Sequence, residues 1–408
     1  MTLHQTLSKE LRDLFVSILR RSLFRPPIKI NGDIVSDFSN RCEQFKECLN
    51  EYICDNNNAA SERVKPRIKT IEKIQHGLTN SLKAFLSGDI KGAYDIFDEV
   101  LSYPTVYRHL RRISIPLKEI CNKHKPLFRV RKSDRPVATR KEIFHIPFTH
   151  RHLVNAQRYS VAGLPCLYLG SSLYICWQEM DKPDFDKLYL SSFISWDEES
   201  YILNLAADFL YSRTAKGFYG DISNRDNLIK ISYLTLWPLI IACNYLKQNE
   251  NSSFNQEYII PNLLMQWISR LEDRAIVGIA YRSTKIKRTA NSHLATNVVL
   301  PPKVNYEDTI TKPYCQKLLS MFEFTQPVSW QVLKTLDYKI DNEINQEQEK
   351  AIHLLKQKER LSGIKDLNED LINLYPLTDF YKLEQCMDRL LQYDVLEIKS
   401  GGTLAAEH

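Results

Sequence analysis

Glycine is scarce in this chain, at 12 of 408 residues, and none falls into a Gly-x-Gly-x-x-Gly or Walker-type loop. Without such a loop the backbone has no glycine cradle for phosphates, which counts strongly against the classical dinucleotide-fold and P-loop classes. The nine cysteines are odd in number and form no Cys-x-x-Cys pair, so neither a disulfide framework nor a zinc knuckle is expected. Charge of one sign is also lacking. Lys+Arg number 55 against 49 Asp+Glu, a net +6, too weak a field to call for nucleic acid as a partner. The charge-free stretch Ile231–Leu246 is shorter than the ~20 residues a membrane span needs, and it contains Pro238 and Asn244. It reads as buried core, and no membrane association is expected. Met1–Arg25 lacks the apolar centre and small-residue cleavage site of a signal peptide. A reduced, cytoplasmic protein is the expectation. There is no internal repeat and no low-complexity tract.

What is present is ordinary globular composition, with 43% hydrophobic and 25% charged residues. The length predicts two or three domains. Residues 1–122 read as a helical regulatory or interaction domain. Leu3, Leu7, Leu11, Phe15 and Ile18 recur at helical spacing, as do Phe38, Cys42, Phe45 and Leu49. Asn56-Asn57-Asn58, Ser87-Gly88-Asp89 and Tyr103-Pro104-Thr105 are break or cap signals. Over residues 123–305 the pattern changes to short apolar runs rich in β-branched and aromatic residues. These predict strands at 127–130, 166–169, 187–190, 201–205, 275–281 and 297–300. Helices are predicted between them at 172–180, 228–246 and about 256–271, so the middle of the chain reads as an α+β domain. Residues 306–408 form a helical C-terminal extension. Glu343–Arg360 reads as a charged helix or partner surface, and Thr378–Leu391 as an amphipathic helix with Thr378 as its N-cap.

The block Phe144–Met180 carries polar residues against apolar surroundings. Arg158 precedes Tyr159-Ser160, Tyr168 lies inside the strand CLYLG, and Glu179 ends a helix that starts at the Gly170-Ser171-Ser172 cap. Upstream Arg129 interrupts the strand Leu127–Val130; downstream Ser283 ends GIAYRS and Asn297 opens NVVL. Two guanidinium forks suit a pyrophosphate, a tyrosine can stack on a ring, and a carboxylate can stabilise an oxocarbenium-like ribose. The set therefore suits breaking an N-glycosidic bond in a charged dinucleotide. Each residue also has a purely architectural reading: Arg129, Arg158 and Glu179 as a buried ion-pair network, Tyr168 as strand core, Ser283 as a strand-end turn residue. His145, His150 and His152 do not have ligand spacing, so no metal is expected. The basic run Lys285–Arg288 reads as a solvated loop.

At FRV with Arg129, RYSVAGLPCLYLG with Arg158 and Tyr168, the helix ending in Glu179, GIAYRS with Ser283 and TNVVL with Asn297, the sequence resembles the RES-domain family. The resemblance implies an ADP-ribosyltransferase-like fold of small mixed sheets with helices, here in a long form with helical extensions on both sides. It implies NAD as substrate, cleaved to release nicotinamide by hydrolysis, or by phosphorolysis with inorganic phosphate as co-substrate. Glu179, Arg158 and Ser283 would be catalytic, and Arg129, Tyr168 and Asn297 would bind NAD. An antitoxin or regulatory protein is an implied partner, and the helical extensions suit homo-oligomer formation. Two other readings stay open: a protein ADP-ribosyltransferase using the same cleft, and an inactive interaction module. The joint presence of Arg129, Arg158, Tyr168, Glu179 and Ser283 argues against the last.

Overall fold

The computed structural model describes residues 3–207, 224–249, 252–271, 276–285, 294–335, 375–376 and 378–396. The predicted charged helix Glu343–Arg360 and most of the basic run 285–288 lie outside them.

Six helices open the chain: α1 (Leu3–Arg20), α2 (Ile34–Asp55), α3 (Ala59–Val64), α4 (Ile68–Leu86), α5 (Ile90–Leu101) and α6 (Pro104–Ile113). Their starts follow the local chemistry. Asp33 accepts from the amides of Val35 and Ser36, Asn58 from Ser61 and Asp89 from Gly92, while Pro104 occupies the first turn of α6, where its missing N–H costs nothing. Then come β1 (Ser114–Pro116), α7 (Leu117–Ile120), β2 (Leu127–Lys132), α8 (Arg140–Ile143), β3 (Leu167–Gly170), α9 (Leu173–Glu179), β4 (Leu188–Ile194) and β5 (Tyr201–Asn204). α10 (Asn224–Thr235), α11 (Trp237–Cys243) and α12 (Ile259–Arg270) precede β6 (Ile276–Arg282) and β7 (Thr296–Leu300). The chain continues through α13 (Tyr306–Thr311), α14 (Gln316–Met321), β8 (Glu323–Phe324), β9 (Val328–Ser329), α15 (Trp330–Lys334) and α16 (Asp379–Leu390). The helix predicted as continuous over 228–246 is broken at Leu236. Pro238, in the first turn of α11, cannot donate to the preceding turn.

The strands form a mixed, nine-stranded sheet in the order β1-β5-β6-β7-β3-β2-β4-β8, with β9 also on β4. β5 and β6 run parallel; the other pairs are antiparallel. The described part is thus an α+β protein with a mixed sheet and many helices. Alternation along β7 and over Ile279–Tyr281 of β6 divides the core between two faces. Ile279, Tyr281 and Val299 join a large cluster with Leu11, Phe38, Leu78, Phe97, Trp237 and Leu264. Val277, Ala280, Val298 and Leu300 join a second cluster with Phe144, Phe148, Leu318 and Phe322. A third, smaller cluster gathers Phe128, Tyr174, Trp177, Trp330, Phe380 and Met387 around α9 and α16. The first cluster has a consequence for organisation. Residues 3–113 do not close on a core of their own: their apolar faces are completed by α10–α12 and by β6 and β7. Each fully buried Leu or Phe there contributes roughly 1.5–3 kcal/mol. Among the described residues no helix is long and apolar enough to cross a membrane.

Candidate active site

The site is built around α9. Ser172 caps the helix, accepting from the Ile175 amide at 3.1 Å while its hydroxyl donates to Leu294 O at 2.8 Å. Gly170 lets the helix fold back on β3: a Cβ there would sit 2.6 Å from Cys176 Sγ and 2.7 Å from Ile175 Cγ2. Two turns later the helix delivers Glu179, and a tight turn follows in which Asp181 (φ 61°) and Lys182 (φ 55°) are left-handed. Non-glycine residues pay for that conformation, and the turn is held by three ties. Lys182 N donates to Trp177 O at 3.0 Å, Trp177 Nε1 donates to Pro183 O at 2.9 Å, and Lys285 pairs with Asp181.

Glu179 is half-buried, and its Oε1 accepts from Asn297 Nδ2 at 2.7 Å. Asn297 is placed by register, opposite Gly170 of β3 on one side and Tyr281 of β6 on the other. Among the described residues no arginine ion-pairs with Glu179, and none donates to its second oxygen. Tyr281 is the hub of the site. Burial, then the negative charge of Glu179, then Tyr168 and Tyr159 push its phenol well above the ordinary range, while the Arg158 guanidinium pulls the other way. Both Glu179 and Arg158 thus lie within electrostatic reach of one buried phenol. Its ring packs on Tyr159, centroids 4.6 Å apart.

Arg158 is buried. It donates from Nη1 to Tyr245 O at 2.9 Å and Cys243 O at 3.4 Å, and from Nη2 to Thr284 Oγ1 at 3.2 Å. Its guanidinium lies 4.9 Å from the centroid of the Tyr258 ring. The Tyr245 segment is itself tied to the N-terminal helices. Tyr245 Oη donates to Asp37 Oδ2 at 2.8 Å, Asp37 is paired with Arg41 at 2.6 Å, and Leu246 N donates to Ile28 O at 2.7 Å. Tyr168 Oη donates to Ser160 Oγ at 3.0 Å, and burial raises its phenol well above the usual value. Ser283 is buried and accepts from Lys285 N at 3.1 Å, so its hydroxyl shapes the start of the turn that carries Lys285.

Arg129 stands apart. Alternation along β2 puts it on the face opposite Phe128, which packs with α9. Its Nη1 donates to the main-chain oxygen of Tyr168 at 2.9 Å, and burial, then Arg131, lower its pKa to about 10. The structure therefore pairs Asn297 with Glu179 and sets it opposite Tyr281, brings Arg158, Tyr168 and Glu179 within electrostatic reach of that phenol, sets Ser283 beside the Lys285–Asp181 pair, and leaves Arg129 bracing β3. Sequence reading missed Tyr281, Tyr258, Thr284 and Lys285. Tyr281 lies within the singled-out GIAYRS motif and Thr284 follows it, and the polar tip of Tyr281 inside an apolar strand was the available signal.

No thiol here is set up as a nucleophile: burial, then Glu384, raises Cys176 to about 12. His145 is structural. It accepts Cys315 N at Nε2 (2.9 Å), Nδ1 faces Ile146 O at 2.8 Å, and burial lowers its pKa to about 4. Among the described residues no group of three or more His, Cys, Asp or Glu could hold a metal.

Comparison with known proteins is sparse. No family model matches the chain, and no solved structure matches it. A curated protein of Bacillus subtilis (strain 168), described as "Putative toxin YopC", is 31% identical over 281 residues, covering 66% of this chain and 61% of that protein. The chain thus spans about three fifths of the length of the curated relative it matches.

Proposed function

We propose that the chain is a RES-type enzyme that cleaves the nicotinamide N-glycosidic bond of NAD and acts as a toxin-like effector by depleting it. One observation carries this reading: a half-buried carboxylate, Glu179, is held by Asn297 and lies within electrostatic reach of the same buried Tyr281 phenol as the Arg158 guanidinium. In this reading Arg158 attracts the pyrophosphate, with the Tyr258 ring holding its plane. Tyr168 and Tyr281 wall the nicotinamide-side ribose. As the C1′–N bond breaks, its electron pair leaves with nicotinamide, and positive charge grows on the ribose. Glu179 stabilises that charge because Asn297 fixes one oxygen and leaves the other for the sugar or the attacking oxygen. A water or phosphate oxygen then bonds to C1′, and the water proton passes to Glu179 or to solvent. Ser283 keeps Lys285 and the Asp181 turn behind Glu179. Arg129 enters as the brace of β3. The relative's toxin description supports an effector role and, with it, an antitoxin or regulatory protein as partner.

The deciding experiment incubates purified protein with NAD, with and without phosphate, and measures free nicotinamide. Release without phosphate indicates hydrolysis and phosphate-dependent release indicates phosphorolysis. Label transferred to protein would move the reading to ADP-ribosyl transfer, and absence of release would remove it.

A further inference from the structure

A buried carboxylate outside the site described above touches the helix that carries Glu179. Glu384, on α16, is buried among the described residues and has no ion-pair partner there. Its Oε1 accepts the Leu173 amide at 2.6 Å and the Tyr375 hydroxyl. Leu173 is the first residue of α9, so its N–H has no acceptor within the helix. A residue 211 positions away in the chain satisfies it. The same pair of helices is locked by rings. Phe380 of α16 packs on Tyr174 (5.6 Å between centroids) and Trp177 (5.6 Å) of α9, and Trp177 stacks on Phe185 at 5.1 Å. From Leu173 to Glu179 the helix rises only about 9 Å, with no flexible joint between. A shift at its first turn is therefore passed on to the Glu179 carboxylate.

We propose that Glu384 is a positioning residue for Glu179: α16 grips the first turn of α9 and so makes the C-terminal extension part of the catalytic unit. This rests on the reading of Glu179 given above. Burial raises the Glu384 pKa to about 8, with Tyr375 and the Leu173 amide opposing. The titratable groups facing it are Tyr375 and, from α9, Cys176. The folded protein therefore holds a proton on Glu384 that the unfolded chain releases near its ordinary 4.5. Between about 4.5 and 8 the folded state binds more protons, so this group's contribution to stability declines as pH rises through that window.

Three variants of the full chain test the grip: Glu384→Ala, Glu384→Gln and Tyr375→Phe. Glutamine keeps a carbonyl acceptor for Leu173 N and Tyr375 Oη but cannot titrate. Expected for Glu384→Ala is a turnover at least tenfold lower with KM within about twofold, and amide exchange over 171–180 at least tenfold faster. Glu384→Gln should restore both and lose the wild-type inflection near pH 8 in stability and turnover. Tyr375→Phe, which removes one donor only, should fall between them and carries the test if Glu384→Ala does not fold. Unchanged exchange over 171–180 in the alanine and phenylalanine variants would overturn the proposal. So would an alanine variant with wild-type turnover. If the wild type releases no nicotinamide, the NAD reading fails while exchange over 171–180 still decides whether the grip exists.

Discussion

The two flanks reach the site through different elements and by different physics. The N-terminal flank, residues 3–113, shares one apolar core with α10–α12 and the sheet, and touches the site through a polar chain from Arg41 and Asp37 to Tyr245 and on to Arg158. The C-terminal flank adds β8, β9 and α14 to the sheet and its second core cluster, while its α16 joins a small aromatic cluster and meets the Glu179 helix at one carboxylate. Arg158 is thus tied to a large core that the N-terminal helices help to close. The helix bearing the acid is held by a local clasp. The first arrangement makes the placement of Arg158 inseparable from the fold, whereas the second lets Glu179 be disturbed while most of the fold stands.

The largest effect that could break this contrast comes from deleting the N-terminal flank. A chain starting at Asn122 exposes the faces of α10–α12, β6 and β7 that residues 3–113 cover, and should give no cooperative unfolding transition and no activity. A folded, active product would make the flank a detachable restraint instead. Next is Asp37→Asn, which leaves Arg41 buried without its counter-charge and weakens the acceptor of Tyr245 Oη. Denaturant unfolding should show a loss of ~3–5 kcal/mol, and affinity for NAD should fall with it. Glu179→Gln should behave oppositely. Turnover drops ~100-fold, equivalent to ~2.7 kcal/mol of transition-state stabilisation, with the unfolding midpoint almost unmoved. Normal turnover would take Glu179 out of the chemistry.

The smallest effect is in the acid range. Burial, then Arg67, Arg112 and Arg108, lower His109 to about 4 from 6.5, and its Nδ1 lies 2.9 Å from Ser232 Oγ. Here the unfolded chain binds more protons, so stability present above about 6.5 is lost as pH falls toward 4. His109→Asn, which can keep the Ser232 contact, should flatten part of that slope in stability measured at pH 7 and pH 4.5. An unaltered slope would assign the acid sensitivity elsewhere.

Local signals were legible where a short stretch carries its own reason. All six predicted strands in the middle of the chain appear, and Ser172, Thr378 and Asp89 cap the helices their positions suggested. Glu179 and Asn297 stood out as polar residues in apolar runs, and strand register brings them together. What was not legible depends on long separations. Nothing in Phe38, Leu78 or Phe97 says that their partners are Trp237 and Leu264, because apolar periodicity gives a face and not its mate. Tyr245 and Glu384 carry no motif; each matters through a contact about 200 residues away. The face that Arg129 takes depends on the phase of β2, which Leu127 and Phe128, both apolar, left undetermined.

The nine thiols are all free, and only Cys54, near the end of α2, is exposed. Burial raises Cys42, Cys121, Cys166, Cys176 and Cys243 well above the ordinary thiol value, so almost none of their sulfur is in the reactive anionic form near neutrality. A maleimide dye or a solid support offered in mild conditions will therefore meet Cys54 first, on the N-terminal flank and distant in sequence from Glu179, and the protein can be tethered or labelled there.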